Sequence, residues 1–327
     1  MHCELVVPDL FAAGAQGRYP ALERLLARGR RRVEGPKPKL FERWLHDAFS
    51  LEEKALPAGA LSLIAANRDP GNDSWLRADP VHLRLMRDHL VVVPAEALAV
   101  SRAEADAFCA SLNSHFAGVM QVLALDPGRW TARLFDRSLE LDDVPALQVA
   151  GRQLPLSRGR DLELAEIQML LHAHPANAAR EDRGEPTINS LWLWGAGRAG
   201  KATSRWSSVL ADEPLVMGLA MLARTRYRSL PPGAAQWLQS APEDGRHLVV
   251  LDALRTPALL LEADKYHECF AALERDWFAP LVGALRAGRI GMVTLHVPNA
   301  AQAVSFETVR GDLRRIWRLA RPIEHYA

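Results

Sequence analysis

Three short apolar runs each lead into a side chain that can bind a metal or carry a proton. Residues 4–8 (ELVVP) are followed by Asp9, residues 247–251 (HLVVL) by Asp252, and residues 290–295 (IGMVTL) by His296. Carboxylates and imidazoles are the oxygen and nitrogen ligands of divalent cations, and paired cations activate a hydroxyl and neutralise phosphoryl oxygens. Each run reads as a buried strand. In open α/β sheets ligands bind at the carboxyl ends of strands, so residues from both ends of the chain would converge at one sheet edge. A second polar set, Asn177, Arg180 and Asn189, follows His174-Pro175. A guanidinium matches phosphate or carboxylate bidentately, which makes Arg180 the candidate to hold an anion, with Asn177 and Asn189 bordering the same cleft. Each feature also has a plain structural account. A strand-end aspartate caps the next loop, a histidine on an apolar strand is satisfied in the core, and Asn and Arg tie segments together.

Other clusters carry less. His172 and His174 lie two apart, a spacing that points them to different sides of a helix. Gly195–Gly197 and Gly200-Lys201 suggest a phosphate loop, but Ala202 stands where that motif requires Ser or Thr. The glycines then read as the exit turn of a strand ending at Trp194. Asp264, His267 and Glu268 share a helix face that is explained as solvated. Arg310, Arg314, Arg315, Arg318 and Arg321 form a basic stripe on what reads as an amphipathic helix over residues 306–319, either solvated or facing nucleic acid or an acidic protein.

The elements that must position these groups are legible in part. Pro20 and Gly29 bracket a helix over 20–28. Residues 28–39 read as an exposed basic loop, and 41–66 as helices broken at Pro57–Gly59. Ser101 with Glu104 is a capping box opening a helix. Residues 119–135 read as a hairpin around Asp126–Arg129. Helices follow over 161–173, over 213–225, and over 266–287 with a break at Pro280. The chain has 327 residues, 49% apolar and 24% charged, with 40 basic and 39 acidic side chains. That is an ordinary globular composition with no whole-molecule attraction to nucleic acid or anionic membrane. Three scattered cysteines give no disulfide framework or zinc site and fit a reducing cytosol. No secretory leader is recognisable at the N-terminus and no run of about eighteen apolar residues appears, so a cytoplasmic protein with no membrane partner is expected.

The segment EIQMLLHAHPANAAREDRGEPTINSLWLWGAG (166–197) resembles the HPxN…R…G…N…WLWGxG segment of archaeal-type cofactor-independent phosphoglycerate mutases, in the alkaline phosphatase superfamily. The opening VVPDL is similar to that family's metal-binding strand. ADPVHLRLMRD (78–88), EIQMLLH and NSLWLWGAG resemble bacterial RpfE-type regulatory proteins over nearly the whole chain. The mutase resemblance implies two divalent cations, manganese or zinc, and a Ser or Thr nucleophile. Carried over by position, Asp9 matches the first metal-binding Asp and Asp252 opens the DxxGH motif, but Thr256, Pro257 and Ala258 stand near its Gly-His. In VTLHVPN, His296 matches the family's DH pair and Leu295 replaces the Asp. The nucleophile should lie near residues 58–60, where the nearest hydroxyl is Ser62. A cation pair needs about six protein ligands, and three positions remain.

The expected fold is α/β, an alkaline-phosphatase-like core sheet flanked by helices (1–75 and 186–327) with an inserted α+β domain (76–185). The expected function is that of a mutase-like protein with a degenerate metal site, a cytosolic regulatory or interaction protein that binds a small phosphorylated or carboxylated ligand or a protein partner, with no cofactor. Two alternatives stand beside it. One is an active metal-dependent mutase or phosphatase using two divalent cations at Asp9, Asp252 and His296. The other is a nucleic-acid or protein adaptor working through the C-terminal basic helix.

Overall fold

Apolar strands with helical crossovers build a parallel sheet, and the computed structural model describes that sheet within residues 1–12, 15–35, 39–135, 144–155, 162–240, 244–299 and 302–326. In chain order the strands are β1 (His2–Val6), β2 (Arg30–Val33), β3 (Trp75–Leu85), β4 (His89–Val93), β5 (Met120–Asp126), β6 (Arg129–Leu134) and β7 (Gln153–Pro155). They continue with β8 (Ser190–Gly197), β9 (Ser208–Leu210), β10 (Arg226–Arg228), β11 (Arg246–Val250), β12 (Met292–Val297) and β13 (Val304–Val309). The chain divides into two compact units, Met1–Ser50 with Ala202–Ala327, and Leu51–Lys201.

The first unit holds a seven-stranded sheet in the order β10-β9-β11-β1-β12-β13-β2. The strands from β10 to β12 are parallel, and β13 and β2 close one side antiparallel. Alternation sets its two faces. Cys3, Leu5, Val293, Leu295 and Val297 point into the main apolar core, with helix α1 (Pro20–Arg28) and the helical run from Ala263 to Ala287. The alternate residues Glu4, Thr294 and His296 are also buried, and with them the sheet carries charge inside. Helix α2 (Phe41–Ala48) belongs to this second side, since the Trp44 ring lies 5.2 Å from that of His296.

The second unit is antiparallel: β5-β6-β3-β4-β7, with β8 beside β3. Helix α3 (Ala58–Ala65) rests on β3 and β8 through a seam of small residues. A methyl at Gly59 would sit 2.5 Å from the Trp75 carbonyl carbon, and one at Gly195 would sit 2.5 Å from the Ala58 methyl. Helix α4 (Arg102–His115) starts at the Ser101–Glu104 capping box, with both reciprocal bonds formed. Helices α5 (Leu162–His172) and α6 (Pro175–Asp182) follow, Asp161 lying outside the described residues. The architecture is mixed α/β, a mainly parallel sheet with helices plus an α+β unit.

Several elements differ from the sequence reading. Residues 30–33, read as loop, form edge strand β2, which pairs on one side with β13. Its Arg-Arg-Arg-Val composition shows no alternation that would mark a strand. The C-terminal amphipathic helix does not form. Residues 304–309 are strand β13, and only short 3-10 turns, Asp312–Arg314 and Ile323–His325, follow among the described residues. Strand β8 runs through Gly195–Gly197 instead of leaving at Trp194, because the glycines let α3 approach. Pro280 sits in the first turn of its helix, and the irregularity is the π turn Glu274–Phe278 just before it. The unit boundaries fall at 50/51 and 201/202, not at 75/76 and 185/186. Helix α3 and strand β8 both pack on β3 and belong with it.

Candidate functional site

Register brings the three strand ends together. Val6 of β1 stands beside Val250 of β11 and His296 of β12. The Val7 amide donates to the His296 carbonyl at 3.0 Å and the Leu251 amide to the Val6 carbonyl at 2.9 Å, which carries the ladder past β1. Asp9, in left-handed backbone at φ 59°, and Asp252 lie just beyond this edge. His296 stays one level back, inside the sheet.

There the imidazole lies between two carboxylates. Nδ1 donates to Glu34 Oε1 in a short bond, and Nε2 donates to Glu4 Oε2 at 3.3 Å. Glu4 is 1% exposed, and it also accepts from Arg205 Nη2 at 2.7 Å and from Arg246 Nε at 2.8 Å and Nη2 at 2.5 Å. Trp44 Nε1 donates to Glu34 Oε2 at 3.0 Å. Burial alone would lower the His296 pKa, but the bonds to Glu34 and Glu4 outweigh it and raise the pKa above the usual histidine value. Burial would raise the Glu4 pKa, yet His296 and Arg205 hold it far below the usual carboxylate range. Glu34 is lowered in the same way, its burial being overcome by His296. His2, bonded to Thr294 Oγ1 at 2.8 Å, is pushed down by burial. The pattern is an imidazole inside a salt-bridge network that favours its protonated form.

The strand-tip edge carries a protein-borne cation of its own. Arg255 starts the short helix Arg255–Leu259, its amide bonded to the Asp252 carbonyl at 2.9 Å. The buried guanidinium forms a short bond to Glu42 Oε1 and lies 4.9 Å over the Phe41 ring. Burial would lower its pKa, but the charges of Glu42 and Asp9 outweigh that and raise it. Sequence reasoning missed Glu4, Glu34, Glu42 and Arg255. Glu4 had a signal, a lone carboxylate at the same alternate position of its apolar run as His296 has on β12. Nothing in the spacing of Glu34 or Glu42 points to this edge.

The other candidates lie in the second unit and serve its fold. Asn177 Nδ2 donates to the carbonyls of Leu171 (2.7 Å) and Ile188 (2.8 Å), and its Oδ1 accepts from the Ile188 amide at 2.8 Å. Arg180 is fully buried and donates to the carbonyls of Pro186 (2.7 Å) and Leu98 (2.5 Å) and to Glu104 at 3.2 Å. Asn189 mimics a backbone partner, accepting from the Leu83 amide at 2.7 Å and donating to its carbonyl at 3.0 Å. Ser62 is buried on α3, where its hydroxyl donates to the Ala58 carbonyl at 2.7 Å and accepts from Arg77.

No protein-family profile matches the chain. It is 28% identical over 134 residues to the 2,3-bisphosphoglycerate-independent phosphoglycerate mutase of Methanosarcina mazei, covering 37% of this chain and 33% of that protein. The mutase of the same description from Methanosarcina acetivorans is 26% identical over 138 residues, 38% of this chain and 34% of that protein. The chain is distantly similar to cofactor-independent phosphoglycerate mutases. It spans about one third of the length of the curated relatives it matches. The PH0037 protein from Pyrococcus horikoshii shares the fold, with a TM-score of 0.57 at 12% identity over 94% of this chain and 87% of that one. A cofactor-independent phosphoglycerate mutase from Thermoplasma acidophilum aligns over 95% and 90% of the two chains at 16% identity with a TM-score of 0.43. Among the described residues no helix is long and apolar enough to cross a membrane.

The two divalent cations that the mutase resemblance implies do not fit the residues present. A metal ligand must offer a lone pair, and both ring nitrogens of His296 are turned to carboxylates as donors. Leu295, where that pattern has a carboxylate, points into the apolar core. Among the described residues no group of three or more His, Cys, Asp or Glu is arranged to hold a metal ion.

Proposed function

We propose that this chain is a phosphoglycerate mutase-like protein whose metal centre is degenerate, acting as a regulatory or interaction protein of the RpfE type rather than by metal-dependent phosphoryl transfer. The observation that carries the reading is the His296 ring set between the carboxylates of Glu4 and Glu34, which favour the imidazolium. An imidazolium cannot ligate a cation, and deprotonating it for a metal would leave two buried carboxylates competing for one neutral ring. Arg255 beside Glu42 supports the same reading, since a fixed guanidinium supplies positive charge at the strand tips without a metal. The donors of Asn177, Arg180 and Asn189 are used within the second unit, which leaves the regulatory role resting on a protein partner.

The test is direct. Purified protein is incubated with manganese or zinc, exhaustively buffer-exchanged and analysed for bound metal, and 3-phosphoglycerate isomerisation and hydrolysis of a generic phosphate ester are assayed with each metal present. The expected result is substoichiometric metal and no turnover above that of Asp9→Ala. Stoichiometric metal with turnover abolished by Asp9→Ala overturns the proposal and makes the chain an active metal-dependent enzyme.

A further inference from the structure

We propose that the arginine-rich open edge of the first unit's sheet docks an extended, acidic segment of a partner protein, which adds as a strand to β2. This goes beyond the mutase-like reading and does not depend on it, because the open edge of β2 is separated from His296 on β12 by the intervening strand β13.

Four observations combine here. First, β2 is the terminal strand of its sheet, and among the described residues only β13 pairs with it. All four of its residues are exposed, so a row of backbone N–H and C=O groups is open for pairing. Second, a groove of about 650 Å³ adjoins the start of β2, lined by the apolar Leu26, Phe306 and Tyr326 and by Arg30, Arg31, Arg315 and Arg318 among others. Third, the segment after β13 is fastened beside the start of β2, to the two residues that precede it. Arg28 donates to the Leu313 carbonyl at 2.6 Å, and Arg318 donates to the Gly29 carbonyl at 3.2 Å. The fastened segment displays Ile316, Trp317 and Leu319 at 71%, 73% and 73% exposure. Fourth, the acids nearby are already engaged, Glu307 with Arg32 and Asp312 with Arg315. Arg30, Arg31 and Arg314 have no acidic partner among the described residues.

A charged edge by itself only discourages aggregation. Three neighbouring exposed apolar side chains contradict a purely protective role, and Trp and Arg together are the residue types that dominate protein interfaces. Nucleic acid would neutralise the arginines, but it offers no partner for the β2 backbone and nothing for Ile316 and Leu319. A bilayer would take Trp317, but seating this edge in it would carry unpaired backbone groups toward hydrocarbon. An extended acidic peptide meets all the features: backbone bonds to β2, carboxylates on the free arginines, and alternate apolar side chains on Trp317 and in the groove.

The experiment uses the full chain and a fluorescein-labelled peptide of alternating valine and glutamate, followed by anisotropy. Controls are its valine–lysine counterpart, a backbone N-methylated version blocked along one edge, a fifteen-residue oligo-dT, and vesicles of phosphatidylglycerol in phosphatidylcholine. The valine–glutamate peptide should bind, and its affinity should fall at least about tenfold with N-methylation or with Trp317→Ala. Binding should be lost in Arg30→Glu/Arg31→Glu and should weaken as salt rises. The N-methylated and lysine peptides leave the protein unaltered, so the result does not hinge on a variant that folds. Equal binding of the N-methylated peptide, no binding of the acidic peptide, or tighter binding to oligo-dT or vesicles overturns the proposal.

Discussion

Replacing His296 by glutamine tests the charge network at the centre of the first unit. Glutamine keeps a donor of similar reach but removes the charge, leaving Glu4 and Glu34 without the cation between them. Removing one partner of a buried ion pair costs about 3–5 kcal/mol. The low end applies here, because Glu4 keeps Arg205 and Arg246 while the Glu34 side chain is 18% exposed and keeps Trp44. We therefore expect about 3 kcal/mol at pH 6, or a fall of about 6–12 °C in the Tm of a unit this size. The pH dependence has a definite sign. The folded His296 pKa lies above its unfolded value of about 6.5, so its contribution is full below about pH 6.5 and is lost as pH climbs through the raised value. The folded pKa values of Glu4 and Glu34 lie below their unfolded value of about 4.3, so theirs is full above that and is lost as pH falls through the lowered values. The network thus stabilises most between about pH 4.3 and 6.5. His2, lowered by burial, acts the other way below about pH 6.5 and is common to both proteins. Urea unfolding of both proteins at pH 6 and pH 9, read by circular dichroism, measures the difference. A difference below about 0.5 kcal/mol at pH 6, or one that does not shrink by pH 9, refutes the imidazolium and with it the argument against metal.

Two further outcomes follow from the second unit. Gly59→Ala places a methyl against the backbone of Trp75 and Leu76, which cannot yield, and should cost about 1–3 kcal/mol in denaturant unfolding; no loss would mean that α3 does not lie against β3. Arg180→Met removes the donors to Glu104 and to the Leu98 and Pro186 carbonyls and should cost about 3 kcal/mol, whereas a stable variant with altered anion affinity would restore Arg180 as a ligand-binding residue.

Local rules carried far in the sequence wherever neighbours in the chain decide structure. The capping box at Ser101, the hairpin around Asp126–Arg129, Pro20 at the head of α1 and the apolar runs of β1, β11 and β12 all depend on contacts within a few residues. Beyond that range the reading failed in a consistent way. Strand β2 has no apolar alternation because it pairs at an edge and faces solvent. The residues after 306 carry a helical stripe, yet the antiparallel register with β12 claims their first part as a strand.

The candidate site divides along the same line. Sequence by itself determined that Asp9 and Asp252 follow apolar strands and that His296 belongs to a third, since apolar patterning and strand length are properties of the local chain. Only the tertiary structure decided what those groups do. Glu34 is 262 residues from His296 and Glu42 is 213 from Arg255, and only the antiparallel pairing of β12, β13 and β2 and the placement of α2 bring them together. Even α1 is capped from afar, with the Glu274 carboxylate accepting from the Ala21 and Leu22 amides at 2.6 and 3.1 Å. Whether a buried imidazole is a metal ligand or an imidazolium depends on the charges around it, and those charges come from segments that no local pattern connects.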